Sequence, residues 1–169
     1  ASGTAIWAQT YFNGSISWDL AMAPDGALYI GMEYYLSTAY AGVQIQSNGL
    51  QDILLTKLSP AGVFEWARTV GGTNTNSRSV LSVNKQGDVA VSGFTFHIGD
   101  QVSKFDKSGN VLWTIPHSTG SGNQGAGECV FDSQGNMWHI GWFNGDFVLG
   151  AFTHSIWGGS THLHLSKYS

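Results

Sequence analysis

The chain has 169 residues, a net charge of −4 and only 11% charged side chains, against roughly 25% in an average soluble protein. Its seven Lys and Arg are scattered, which removes the footprint of a nucleic-acid binder, and no apolar run reaches the ~18 residues of a membrane span. Apolar residues at 42% can build one shared core and exclude global disorder, while the lone Cys129 excludes an internal disulfide.

Taken in chain order, the apolar runs repeat. The first unit offers Ile6-Trp7-Ala8-Gln9-Thr10, then Leu20-Ala21-Met22-Ala23, a turn at Pro24-Asp25-Gly26, then Leu28-Tyr29-Ile30-Gly31 and a run ending in Lys57-Leu58. The second offers Glu65-Trp66-Ala67-Arg68-Thr69, Val80-Leu81-Ser82-Val83, a turn at Lys85-Gln86-Gly87, Val89-Ala90-Val91-Ser92-Gly93 and Lys104-Phe105. The third offers Leu112-Trp113-Thr114-Ile115, Cys129-Val130-Phe131, a turn at Ser133-Gln134-Gly135, Met137-Trp138-His139-Ile140-Gly141 and Lys167-Tyr168. Lys57 to Trp66 and Lys104 to Trp113 are both nine residues, and Gly87 to Gly93 and Gly135 to Gly141 are both six. From Gly31 to Lys57, Gly93 to Lys104 and Gly141 to Lys167 the spacing is 26, 11 and 26, which is how loops behave.

These runs are short, rich in Val, Ile, Leu and aromatics, and bounded by Gly, Asn, Asp or Pro, so they predict strands joined by tight turns. No window carries the 3.6-residue apolar period and caps of a helix. The expected fold is all-β. It consists of three four-stranded antiparallel repeats over residues 6–62, 63–110 and 111–169, forming a single module over residues 1–169.

The Trp run, the apolar run ending in Asp-x-x-Gly-Asn, the run ending in Gly and the run ending in Lys resemble a bacterial β-propeller repeat family often described as seven-bladed. The third unit, with Gly141-Trp142-Phe143-Asn144-Gly145, Gly159-Ser160 and Lys167-Tyr168, carries the likeness best. The stretch from Lys104 to Thr114 is similar to quinoprotein-type propeller repeats as well. Both resemblances imply β-propeller blades. Rings of this kind close with roughly four to eight blades, so three are expected to be completed by oligomerisation or strand exchange. Trp7's run could complete the sheet ending at Tyr168, in the same chain or in a neighbour; blade packing between copies or a strand donated to a neighbour would make a homo-oligomer, and a piece cut from a larger propeller is the alternative.

Function is less constrained. There is no Gly-x-Ser-x-Gly elbow or Cys–His signature, and Asp25, Asp106 and Asp132 are explained by turns, so no catalysis and no cofactor are expected. Gly120-Ser121-Gly122-Asn123-Gln124-Gly125 fits a dinucleotide fingerprint only as a string, because a β-run rather than a helix follows. His162 and His164 share one face of a strand at a spacing that can chelate a metal, and are weak metal candidates. The long loops gather on one rim. Trp18, Tyr34, Tyr35, Arg78, Trp142, Asn144, Asp146 and Trp157 are the ligand-binding candidates there, since flat rings beside planar polar groups suit sugars. The weakly charged, Ser-, Asn- and Gly-rich surface fits a secreted or cell-surface protein. The expectation is a non-catalytic assembly module, scaffold or adhesin, or alternatively a lectin-like glycan binder. Neither nucleic acid nor membrane insertion is expected.

Overall fold

The computed structural model describes residues 3–12, 14–40, 42–73, 75–95, 99–116, 122–155 and 160–169. It is all-β, built from separate antiparallel sheets with no closed barrel. The first sheet is a meander of β1 (Ser15–Met22), β2 (Leu28–Tyr40), β3 (Val43–Leu58) and β4 (Phe64–Val70), in that order. The second repeats it with β5 (Asn76–Val83), β6 (Val89–Thr95), β7 (Gly99–Phe105) and β8 (Val111–Pro116). The third contains β9 (Gly122–Phe131), β10 (Met137–Gly145) and β13 (His162–Tyr168), in the order β13-β10-β9. A separate hairpin, β11 (Phe147–Leu149) with β12 (Phe152–His154), fills the connection from β10 to β13.

Five turns share one hydrogen-bonding pattern. In Ala23–Ala27, Ser59–Val63, Asn84–Asp88, Asp106–Asn110 and Asp132–Asn136, the first residue's N–H donates to the fifth's carbonyl, and the fourth residue's N–H donates back to the first's carbonyl. The fourth residue is always Gly with φ between +77° and +88°, a conformation that L side chains rarely adopt. Where the first residue is Asp or Asn, its side chain completes the turn. Asp106 Oδ1 accepts from the N–H groups of Ser108 and Asn110, and Asp132 Oδ1 from those of Gln134 and Asn136. The turn acids are therefore engaged with their own backbone.

The turns fix which residues are equivalent. Counting from them, Lys57 and Lys104 stand opposite Trp66 and Trp113 in their sheets, as the repeat requires. Gly31, however, is not the counterpart of Gly93 and Gly141. A Cβ on Gly31 would collide with Ser79 of the second sheet, whereas one on Gly93 would collide with Ile53 of the first. The two face opposite ways, so Met32 is the true counterpart, one residue further from its turn.

The sheets stack face to face, β5 lying on β1, β2 and β3, and β9 on β5, β6 and β7. Between the first two, Tyr29, Ile53, Leu55 and Val70 meet Leu81, Val89, Val91 and Phe105, all buried. Between the second and third, Ala90 and Val102 meet Cys129, Met137 and Tyr168. A third cluster, Phe12, Met32, Tyr34 and Leu54 with Tyr11, Tyr40 and Phe64 around it, covers part of the first sheet's other face.

Two expectations about the ends of the repeat change. Residues 3–12 form no strand; their rings lie against the first sheet instead, with Tyr11 and Phe12 on Tyr40 at 5.2 and 5.3 Å. Among the described residues the third sheet has three strands rather than four, with β13 at its edge. No helix among the described residues is long and apolar enough to cross a membrane.

Candidate functional site

The arrangement is directional. The interface from each sheet to the next uses the same positions. In the first sheet Ile53, Leu55 and Lys57 of β3, with Tyr29 of β2, face the second. The Tyr29 hydroxyl donates to Gly87 O at 2.8 Å, and Lys57 Nζ donates to Lys107 O at 3.2 Å. In the second sheet Val102 and Lys104 occupy the places of Leu55 and Lys57; Val102 is buried and Lys104 sits 5.4 Å from the ring of Phe131 in the third sheet.

In the third sheet those positions are Leu163, Leu165 and Lys167 on β13, with Trp138, Ile140 and Trp142 beside them on β10. Here they face outward. Leu55 and Val102 are 0% exposed, Leu165 is 66% exposed, and Val130, Ile140 and Leu163 are also open. Lys167 lies over the Trp138 ring at 4.7 Å, as Lys57 lies near the Tyr29 ring at 5.9 Å. The Trp142 indole crosses Gly125 so closely that a Cβ there would meet its Nε1.

The opposite end of the stack is complementary. Leu81, Val83, Val89 and Val91 receive the first sheet; their counterparts in the first sheet are Leu20, Met22, Leu28 and Ile30, and Leu20 and Met22 are exposed. A cavity of about 530 Å³ opens on this face between Tyr11, Phe12, Ser15, Asp19, Leu20, Ile30 and Met32. Among the described residues the stack thus ends on an open apolar face of the third sheet, here the outgoing face, and on an apolar face of the first sheet, here the incoming face, that Tyr11, Phe12 and Tyr40 partly cover.

The predicted ligand residues do not converge. Tyr34 is buried at 1%, shares the apolar face with Met32 and Leu54, and its hydroxyl contacts Gln46 O and Thr69 Oγ1 at 2.9 and 2.8 Å. It is core, not rim, because alternation along β2 turns it inward; burial raises its pKa. Tyr35 is exposed and borders a hollow of about 140 Å³ with Gly14, Ile16, Glu33 and Gln51. Arg78 is exposed in a bulge of β5 with φ +50°. Trp142 belongs to the outgoing face, Asn144 pairs with Asn123 at the end of β10, and Asp146 follows in the link to β11. Only the backbone of Trp18 is described, at a bulge of β1, and Trp157 lies outside the described residues.

His162 and His164 point toward the second sheet among aromatic rings. His164 stacks on Phe147 at 4.5 Å and lies 5.3 Å from His139, while His162 lies 5.8 Å from Phe143. Phe143 lies near both imidazoles, at 5.8 and 6.3 Å, and no group of three or more His, Cys, Asp and Glu among the described residues could hold a metal. Burial lowers the pKa of His139 and of His164 to about 4. The dinucleotide-like string runs into strand β9 from Gly122, so no helix N-terminus faces it.

Two features escaped sequence reasoning. Asp52 is fully buried, accepting from the backbone N–H of Asn48 and, at 2.6 Å, from the Asn76 side chain of β5. Burial raises its pKa against the pull of those bonds. The outgoing face was also missed, although its signal was present: Leu163 and Leu165 fall in step with Ile53 and Leu55 once counted back from the Lys. No family model matches the chain, and no match was found among curated proteins.

Proposed function

We propose that this chain is a three-bladed section of a β-propeller that works by assembly, a non-catalytic scaffold or adhesin module outside the cell. One observation carries the reading. The third sheet exposes, in the same positions, the side chains that the first two sheets bury against their successors, and the first sheet exposes the receiving half of that joint. Burying an exposed Leu contributes roughly 1.5–3 kcal/mol, so Leu163 and Leu165 offset part of the cost of association, and the rest of the face adds to them. Because the two faces differ, copies stack head to tail. Such contacts give a ring when the rotation closes and a filament when it does not, and two copies would make a six-bladed ring. The weakly charged surface supports a location outside the cytosol.

Light scattering on the purified chain tests this. The expected result is a species of at least twice 18.1 kDa, reduced to monomer by Leu165→Glu with β-sheet circular dichroism retained. A stable monodisperse monomer of the unaltered chain overturns it.

A lectin-like second reading has one observation in its favour. Glu33 Oε2 is buried without a protein hydrogen-bond partner, in the small hollow beside exposed Tyr35 and half-buried Gln51. A carboxylate under an aromatic edge suits a sugar hydroxyl. Saturable binding on a glycan array that is abolished by Glu33→Gln supports it; an array that stays blank excludes it.

A further inference from the structure

We infer that the hollow at Glu33 is a site for a primary ammonium group, the protonated amine of an unacetylated amino sugar. This rests on the glycan-binding reading above and names the sugar class that the same hollow takes.

Alternation along β2 builds the site. Tyr34 turns into the core, so Glu33 and Tyr35 project from the other face of the sheet. Glu33 stands between Ile16 of β1 and Ile53 of β3, and Tyr35 stands opposite Gln51. The two isoleucines offer no donor, and Ile53 is buried where the first sheet meets the second. The hollow of about 140 Å³ therefore has an apolar wall at exposed Ile16, an aromatic one at exposed Tyr35, and a carboxylate between them.

What the protein leaves unmatched there decides what the hollow takes. Glu33 Oε2 is buried with no donor, and the ion pairs among the described residues join Lys57 to Glu65, Lys104 to Asp88 and Lys167 to Asp132, none of them reaching Glu33. Residues 34–51 carry no charged side chain, and no residue lining the hollow is basic. A carboxylate only accepts, so the ligand must donate, and an anionic sugar is repelled. A buried carboxylate oxygen left without a donor is costly, and a charged donor compensates it better than a hydroxyl, because such bonds are about twice as strong as neutral ones. An aromatic ring beside the carboxylate adds attraction for a cation lying on its face.

Size sets how much of the ligand enters. About 140 Å³ is the space of roughly five waters at ~30 Å³ each, well below the ~300 Å³ at which pockets enclose a whole small ligand. The hollow admits the amine and one edge of a single ring. The rest of the glycan stays outside, where the Tyr35 ring and the Gln51 amide are placed to meet its C–H face and hydroxyls. Acetylation removes the amine's charge, adds a carbonyl acceptor that Glu33 cannot satisfy, and enlarges the group, so it is the feature that the site reads.

Calorimetry on the full chain with a glucosamine oligomer and its N-acetylated counterpart, at a pH that keeps the amine protonated, tests this. The glucosamine oligomer is expected to bind saturably and at least about tenfold more tightly, as one charge-assisted hydrogen bond requires. Glu33→Gln should erase that preference with β-sheet circular dichroism retained, whereas Glu128→Gln, the same charge change at an exposed position of β9, should keep it. The comparison of the two oligomers on the unaltered chain decides even if a variant fails to fold. Equal or tighter binding of the acetylated oligomer, no binding of either, or an equal loss in both variants, which marks general attraction to the net charge of −4, overturns the ammonium site. In those cases a glycan array that still shows saturable binding abolished by Glu33→Gln leaves the glycan-binding reading standing, and a blank array overturns both.

Discussion

The indole of Trp66 in the first sheet lies against Gly109 in the second, and a Cβ at Gly109 would sit 3.0 and 3.1 Å from two of its ring atoms. Gly109 also has φ +82°, so Gly109→Ala meets strain from its backbone and from its neighbour. Gly135 is the natural control, with φ +87° and open space where its Cβ would be. We expect Gly135→Ala to cost about 1 kcal/mol, the left-handed backbone penalty alone, and Gly109→Ala about 2 kcal/mol or more. Urea denaturation measures both; equal losses would show that the Trp66 contact yields freely.

Acidification should weaken the joint between the second and third sheets. His139 is fully buried, with Nε2 2.9 Å from Ser92 Oγ, and burial first, then the nearby His164, lowers its pKa to about 4 from 6.5. Between these values the unfolded chain binds a proton that the folded one refuses, so stability falls as pH drops from 6.5 toward 4. At 1.36 kcal/mol per unit the loss for His139 is on the order of 2–3 kcal/mol. Asp132 and Asp106, held below their ordinary value of 3.8 chiefly by the Asn136 and Asn110 side chains, lose their contribution only at lower pH, so the two effects separate. Urea midpoints at about pH 7.5 and about pH 5 check the sign; an unchanged or higher midpoint at the lower pH contradicts the burial of a neutral imidazole.

Asp52 ties the extended β2–β3 hairpin to β5. Its carboxylate accepts from Asn48 and Asn76, so Asp52→Ala leaves the buried Asn76 amide and the part-buried Asn48 N–H without this acceptor and should cost about 1–3 kcal/mol. A double-mutant cycle with Asn76→Ala should give a coupling of about 1 kcal/mol. Simple additivity would mean that the two side chains do not act together.

The features legible in the sequence were those fixed within a few residues. Asp132 and Gly135 specify their turn locally, through two backbone bonds and one positive φ, and the Lys–Trp spacing is set by the same kind of turn. What failed depended on which face a residue takes. Gly31 looked equivalent to Gly93 because both end apolar runs, yet they face opposite sheets. Tyr34 was assigned to a rim from its place near a loop, but one step of alternation places it beside Met32 and Leu54. The Asp52–Asn76 bond joins different sheets and leaves no local trace. Trp7 was recognisable as a repeat mark; that its segment forms no strand follows from having no sheet edge beside it, which no local pattern records.

Cys129 reports on the same inter-sheet joint by chemistry. Its Sγ faces Val80 O at 3.7 Å, and the thiol pKa is pushed up to about 12, first by burial and then by the negative charges of Glu128 and Asp19. The thiolate is the reactive form, so both its scarcity and its enclosure suppress attack on a disulfide reagent. Modification should therefore require the third sheet to separate from the second, and its rate should rise with urea well before, or together with, the loss of circular dichroism. A rise before the main transition would show that the third sheet opens on its own, as expected of the sheet with three strands and an uncovered face. Coincidence would mean that the stack unfolds as one unit. Rapid labelling in native buffer, at the rate of a free cysteine, would contradict the placement of β9 against β5.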